Sequence, residues 1–138
     1  MSSKETLTFA QFLIINSHLA KVSDTWADLW ALIYYTGMSA GRLLTIQHDD
    51  IDGNSILIRE RGRLKALRVE IPPTVMAMLA RRRERHPEDI FVFQSHSNRV
   101  KNECRPVTLI AFNTALRHAS KSLPAVTASS SSARNVSD

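Results

Sequence analysis

Residues 34–52 read Tyr34-Tyr35-Thr36-Gly37-Met38-Ser39-Ala40-Gly41-Arg42-Leu43-Leu44-Thr45-Ile46-Gln47-His48-Asp49-Asp50-Ile51-Asp52. An aromatic helix end runs into Thr36-Gly37, where the glycine suits the left-handed conformation that closes a helix. Ser39 can cap a short third helix over 40–46, carrying Arg42, Leu43, Leu44 and Ile46. His48, Asp49 and Asp50 form an acidic turn leading to Ile51. Asp52-Gly53-Asn54 is a strong signal for a turn between strands. The three aspartates suggest a cation site less than a turn, because no calcium-loop pattern follows them.

Upstream, Thr8 and Gln11 have the spacing of a capping box, and a first helix is expected over about 9–20. Phe9, Phe12, Leu13, Ile15, Leu19 and Val22 form its apolar stripe. Ser23-Asp24 opens a second helix, with Trp26, Leu29, Trp30, Ile33 and Tyr34 inward and both tryptophans read as core. Downstream, Ser55–Arg59 reads as a strand, Arg61–Lys65 as a hairpin tip and Leu67–Ile71 as the return strand. Pro72-Pro73 ends the sheet and starts a helix over 74–85. Val75, Met78 and Leu79 face inward on that helix, and Arg81, Arg82, Arg83 and Arg85 sit near its end, where cations suit the dipole. Residues 89–93 are a strand or a single turn, 95–105 a polar loop, and Val107-Thr108 opens a helix to about Ser120 with Leu109, Phe112 and Leu116 inward. The Ser-rich remainder has little to bury and is expected to be poorly ordered.

With 138 residues, 43% hydrophobic and 22% charged, the chain is expected to form one globular domain that needs no staple. Its single cysteine, Cys104, excludes an internal disulfide. No apolar run approaches a membrane span, and the first residues lack a signal-peptide pattern, so a cytoplasmic protein is expected. Residues 1–54 hold three basic and six acidic side chains, whereas 55–138 hold fifteen and seven. That asymmetry fits a face meant for a polyanion, or a solvated basic surface. The five histidines show no metal-ligand spacing, so neither metal nor cofactor is expected.

The order helix, helix, short helix, three-stranded meander, helix, turn, helix resembles the catalytic domain of the tyrosine recombinases, the phage integrase family. The resemblance rests on Thr36-Gly37, the Leu43-Leu44 helix and the Asp50-Ile51 entry to the meander, and it runs from residue 6 to about 134. It implies an α+β, mainly α fold with a three-stranded antiparallel β-meander. It implies an integrase-like catalytic domain over 1–122, without the family's N-terminal core-binding domain, and a tail over 123–138 holding a remnant of the family's His-x-x-Arg box.

Members of the family cleave DNA with a tyrosine nucleophile. Two arginines stabilise the phosphoryl oxyanion, and a hairpin lysine and a histidine assist proton transfer. Carried over residue by residue, the first arginine position holds Ser39, which supplies neither charge nor a fork of donors. The glutamate position holds Arg42, read either as a solvated helix residue or as a stand-in for the lost arginine. The hairpin lysine falls at Arg61, Arg63 or Lys65, and only Lys65 can donate a proton as an acid. The histidine position holds Ser131 and the second arginine position Arg134. Four residues later the sequence ends, without the second histidine box or the nucleophile. Tyr34 and Tyr35 occupy the place of structural aromatics.

The resemblance therefore implies a recombinase-derived DNA-binding protein of a mobile element, acting in or regulating recombination or integration without strand cleavage. Double-stranded DNA is the expected partner. Arg42, Arg59, Arg61, Arg63, Lys65, Arg68, Arg99, Lys101, Arg105 and Arg117 are the expected phosphate contacts, which fix position and give salt-dependent affinity. The alternatives are a truncated integrase completed by a full-length recombinase or a second copy, and a protein-docking regulator that no longer binds DNA. No membrane partner is expected.

Overall fold

A computed structural model describes residues 7–96, 104–121, 134 and 136–137. Of the residues singled out above, Arg99, Lys101 and Ser131 lie outside these, as does most of the tail. The chain divides into two compact units, one formed by 1–40 with 108–138, the other by 41–107.

In the first unit, β1 (Leu7–Thr8) leads directly into α1 (Phe9–Val22). The capping box forms as expected: Gln11 N–H donates to Thr8 Oγ1 at 3.1 Å and Thr8 N–H to Gln11 Oε1 at 2.9 Å. The buried stripe is narrower than the sequence suggests. Phe12, Ile15 and Leu19 are buried, whereas Leu13 and Val22 are 49% and 71% exposed. Ser23 caps α2 (Asp24–Thr36) by accepting from Thr25 N–H. Trp30 is fully buried, donates its indole N–H to the Phe12 carbonyl at 3.2 Å, and stacks on the Phe12 ring. Its polar atom is thus satisfied inside the core. Gly37 closes α2 at φ 69°, with its N–H on the Ile33 carbonyl.

Thr108 caps α5 (Leu109–Ala119), which buries Phe112 and Leu116 completely and packs against α1. Leu109, expected inward, is 38% exposed although it shares the face of Phe112 and Leu116, because it is the first residue of the helix. The strand β5 (Val136–Ser137) pairs in parallel with β1, Leu7 opposite Val136 and Thr8 opposite Ser137. The tail's composition gives no sign of that pairing.

In the second unit, α3 (Ala40–Leu43) is shorter than the expected 40–46. The cause is competition for backbone groups. Ile46 gives its carbonyl to Val92 N–H at 3.1 Å and Gln47 bridges Phe91, so the chain must be extended there. A 3₁₀ turn, His48–Asp50, leads into the meander β2 (Ile51–Asp52), β3 (Ser55–Ile58) and β4 (Leu67–Glu70), with β3 central and both pairings antiparallel. Gly53 and Gly62 take φ 61° and 58° at the two turns, as the sequence predicts. Ile56 and Ile58 are fully buried.

Pro73 opens α4 (Pro73–Arg85), which buries Val75, Met78 and Leu79 as expected. Of the two readings of residues 89–93, a strand or a single turn, the structure takes the turn. Isolated bridges at Phe91 and Gln94 flank it, and the N–H groups of Ser95 and Val107 donate to the carbonyls of Arg105 and Phe93. The fold is thus α+β and mainly helical, with one three-stranded antiparallel meander. Among the described residues, no helix is long and apolar enough to cross a membrane.

Candidate nucleic-acid interface

The β3–β4 hairpin carries five basic side chains in residues 59–68 against one acid, Glu60. Its ladder runs from the Ser55–Glu70 pair to the Ile58–Leu67 pair. It opens at 59–60 and 65–66, then closes again at the tip, where Arg61 and Leu64 exchange two backbone hydrogen bonds of 2.9 Å around Gly62-Arg63. A gap of unpaired backbone in a hairpin costs stability unless another group fills it.

Arg42 fills it. The side chain is buried, 7% exposed, and one Nη donates to the carbonyls of Arg59 at 3.2 Å and Lys65 at 2.7 Å. The two N–H groups of that one nitrogen tie both arms of the hairpin from one short helix. The solvated reading of Arg42 is therefore wrong: its donors serve the fold of the hairpin, and among the described residues its buried Nε has no acceptor. Gly41, the preceding residue, lies under Arg61. A Cβ at Gly41 would collide with Nη1 of that guanidinium and stand 3.0 Å from its Cζ. The lack of a side chain at 41 therefore lets the Arg61 head lie close along α3.

Arg59 is committed as well. Its Nε and Nη2 grip both oxygens of Asp50 at 2.8–3.2 Å, and Asp50 also accepts from Gln47 N–H at 2.9 Å. Burial pushes the Asp50 carboxyl up, but the hydrogen bonds from Arg59 and Gln47 and the Arg59 charge outweigh it. The group sits below its ordinary 3.8. Asp50 pulls the Arg59 guanidinium up in turn. The sign follows from linkage. A carboxyl depressed in the folded state contributes stability above its unfolded pKa and loses it as pH falls through the folded value. In thermal melts from pH 6 down to pH 2, the Tm gap between the wild type and Asp50→Asn should be full above about pH 4 and shrink towards acid. A gap that stays constant to pH 2 would show that the charge of Asp50 contributes nothing.

Three basic side chains remain open at the tip: Arg61, Arg63 and Lys65 are all exposed. Arg68 is exposed too, donating to Ser55 Oγ at 3.1 Å. The structure thus gathers Arg42 of α3 with Arg59, Arg61, Arg63 and Lys65 of the hairpin, with the first two holding it and the last three exposed. Arg105 is exposed in the same unit. Arg117 and Arg134 belong to the first unit, both exposed. Arg134 Nε donates to the Gly37 carbonyl at 2.8 Å, so it reaches the backbone two residues before Ser39.

Two features of the second unit escaped the sequence. Arg82, grouped above with the cations of the α4 end, is 2% exposed. It donates Nε to the Val92 carbonyl at 2.9 Å and lies over the Phe93 ring at 5.2 Å. A signal existed, because 75, 78, 79 and 82 share one helical face. His48 lines a cleft of 340 Å³ with Ile51, Met76, Leu79 and Arg83. Burial and the Arg83 charge hold its pKa below the ordinary value against the pull of Asp89, so it is neutral at pH 7.

No family model matches the sequence, and no curated protein matches it. The fold does have counterparts among solved structures. One is a crystal structure of the site-specific recombinase XerH bound to difH substrate in a pre-cleavage complex. It aligns with a TM-score of 0.62 over 95% of this chain at 15% sequence identity. The chain spans 40% of the length of that recombinase chain. The likeness shows a recombinase-like fold.

Proposed function

We propose that the chain is a recombinase-derived DNA-binding module that does not cleave DNA, acting in or regulating recombination or integration of a mobile element. The observation that carries this reading is the hairpin. Arg42 ties its arms together, and Arg61, Arg63 and Lys65 stand exposed at its tip. Such an array supplies phosphate contacts that fix position on duplex DNA and carry little sequence information. The integrase-like domain over 1–122 is the scaffold for that hairpin, and the XerH complex with difH shows this fold serving a DNA-bound protein elsewhere.

The absence of cleavage follows from what occupies the mapped positions. Ser39 stands where an arginine would hold the oxyanion. Tyr34, one of two tyrosines, is half-buried among Phe9, Phe12 and Tyr35, with ring centroids at 4.5–5.7 Å. A nucleophile needs a free hydroxyl next to the phosphate, and packing of this kind serves the core instead.

The test is a salt-titrated gel shift with duplex DNA, run beside a nicked suicide substrate. Binding should be salt-dependent with low sequence preference, and no covalent adduct should form. An adduct trapped on this chain would restore the enzyme reading. An adduct only with a full-length recombinase added would favour a chain completed by a partner. No binding at low salt would overturn the DNA reading in favour of a protein-docking role, for which the exposed Leu13, Ile14, Val22 and Ile110 of the first unit offer apolar surface.

A further inference from the structure

The turn after α4 brings together side chains that are far from any metal-ligand spacing in sequence. His86 ends the helix, with its N–H on the Arg82 carbonyl. Asp89 N–H returns to the His86 carbonyl at 3.1 Å. Gln94 then folds the chain back: its Oε1 accepts from the N–H groups of Ile90 and Phe91 at 2.9 and 3.2 Å. That reversal returns His96 to Asp89, Nε2 to Oδ2 at 2.8 Å, and stacks its ring on His86 with centroids 4.3 Å apart.

We propose that His86, Asp89 and His96 form a binding site for a divalent transition metal of the zinc class. One ligand atom from each residue lies within 4.8 Å of the others. Tetrahedral coordination at zinc–ligand distances near 2.1 Å sets ligand atoms roughly 3.4 Å apart, so modest side-chain rotation closes the set. Two imidazoles and a carboxylate are a donor set that zinc accepts, with the fourth position left for water or a further ligand.

Two surroundings favour a cation there. Gln94 Nε2 donates to Asp89 Oδ1 at 3.1 Å, which fixes the carboxylate with Oδ2 facing His96, so that a metal between them would replace the His96–Asp89 contact. His86 sits at the C-terminal end of a helix of thirteen residues, the negative end of its dipole. Against this stand the Arg83 and Arg85 charges in the last turn of α4, which place the affinity below that of a buried structural zinc site. The proposal is independent of the DNA reading, since none of these side chains belongs to the hairpin.

The experiment titrates the full chain with Zn²⁺ by calorimetry and with Co²⁺ by visible absorption. One ion per chain is expected, with the stronger visible bands of four-coordinate Co²⁺. His86→Ala, Asp89→Asn and His96→Gln should each lower affinity at least about tenfold, and Gln94→Ala about tenfold through loss of the supporting hydrogen bond. His118→Gln, in α5, should bind as the wild type does. His96 is exposed, so its variant tests the site without challenging the fold. Imidazole resonances of His86 and His96 should move on Zn²⁺ addition while those of His118 stay. No stoichiometric binding, or binding unchanged in all three ligand variants, would overturn the proposal.

Discussion

Replacing Arg61, Arg63 and Lys65 together by alanine is expected to weaken binding to every duplex sequence tested. It should also flatten the dependence of log K on log salt by up to about 2.7 units, because each lost phosphate contact removes roughly 0.9. The three are exposed at a tip whose geometry the backbone sets by itself, through the two Arg61–Leu64 hydrogen bonds and the positive φ of Gly62. Truncating their side chains leaves those bonds in place, so the fold should survive and the change should report on binding. Arg59 is the informative contrast. Its guanidinium is spent on Asp50, so Arg59→Ala should alter acid stability more than the salt slope. An unchanged affinity and slope in the triple variant would move the DNA contact away from the hairpin.

The second large effect is on stability. Arg82→Ala should destabilise the protein by about 3 kcal/mol, read as a lower urea midpoint at constant slope. A hydrogen bond from a charged donor contributes about 1.5–3 kcal/mol and a desolvated cation–π contact up to about 2, and alanine also leaves a cavity. Arg82→Met separates these contributions. It refills the volume under Phe93 and still leaves the Val92 carbonyl without the Nε donor, so it should fall between alanine and wild type. The same substitution at Arg81, one residue earlier on the exposed face of α4, should cost under about 1 kcal/mol. Equal losses at 81 and 82 would mean that the burial of Arg82 contributes nothing in particular.

Both predictions turn on which arginines are spent inside the fold. Composition counts them all alike. The hairpin shows why that count misleads: of its five basic residues, Arg59 closes a bidentate pair, Arg68 leans on Ser55 and the exposed Arg61 lays its head along Gly41. Arg42, the sixth basic residue at this site, is a strut.

The sequence by itself determined the order of elements and most of their ends. Those depend on short-range physics: Thr8 with Gln11, Ser23 with Thr25, Gly37, Gly53, Gly62 and Pro73 each act within a few residues of where they stand. The exposure of Arg63 was legible for the same reason, since the two-residue turn Gly62-Arg63 projects its side chain wherever it sits, and Arg61 and Lys65 flank that turn. Only the tertiary structure decided the rest. The strut role of Arg42 and the burial of Arg82 arise because carbonyls at Arg59, Lys65 and Val92, 10–23 residues away, are left without strand partners and draw the nearest donor, and α3 is short because Ile46 and Gln47 pair with Val92 and Phe91. His86, Asp89 and His96 meet because Gln94 reverses the chain, and the β1–β5 pairing joins residues nearly the whole chain apart. Contacts made across such separations are chosen by which backbone groups remain unsatisfied after the local elements form, and apart from the helical face that Arg82 shares with Val75, Met78 and Leu79 no local pattern in the sequence records that.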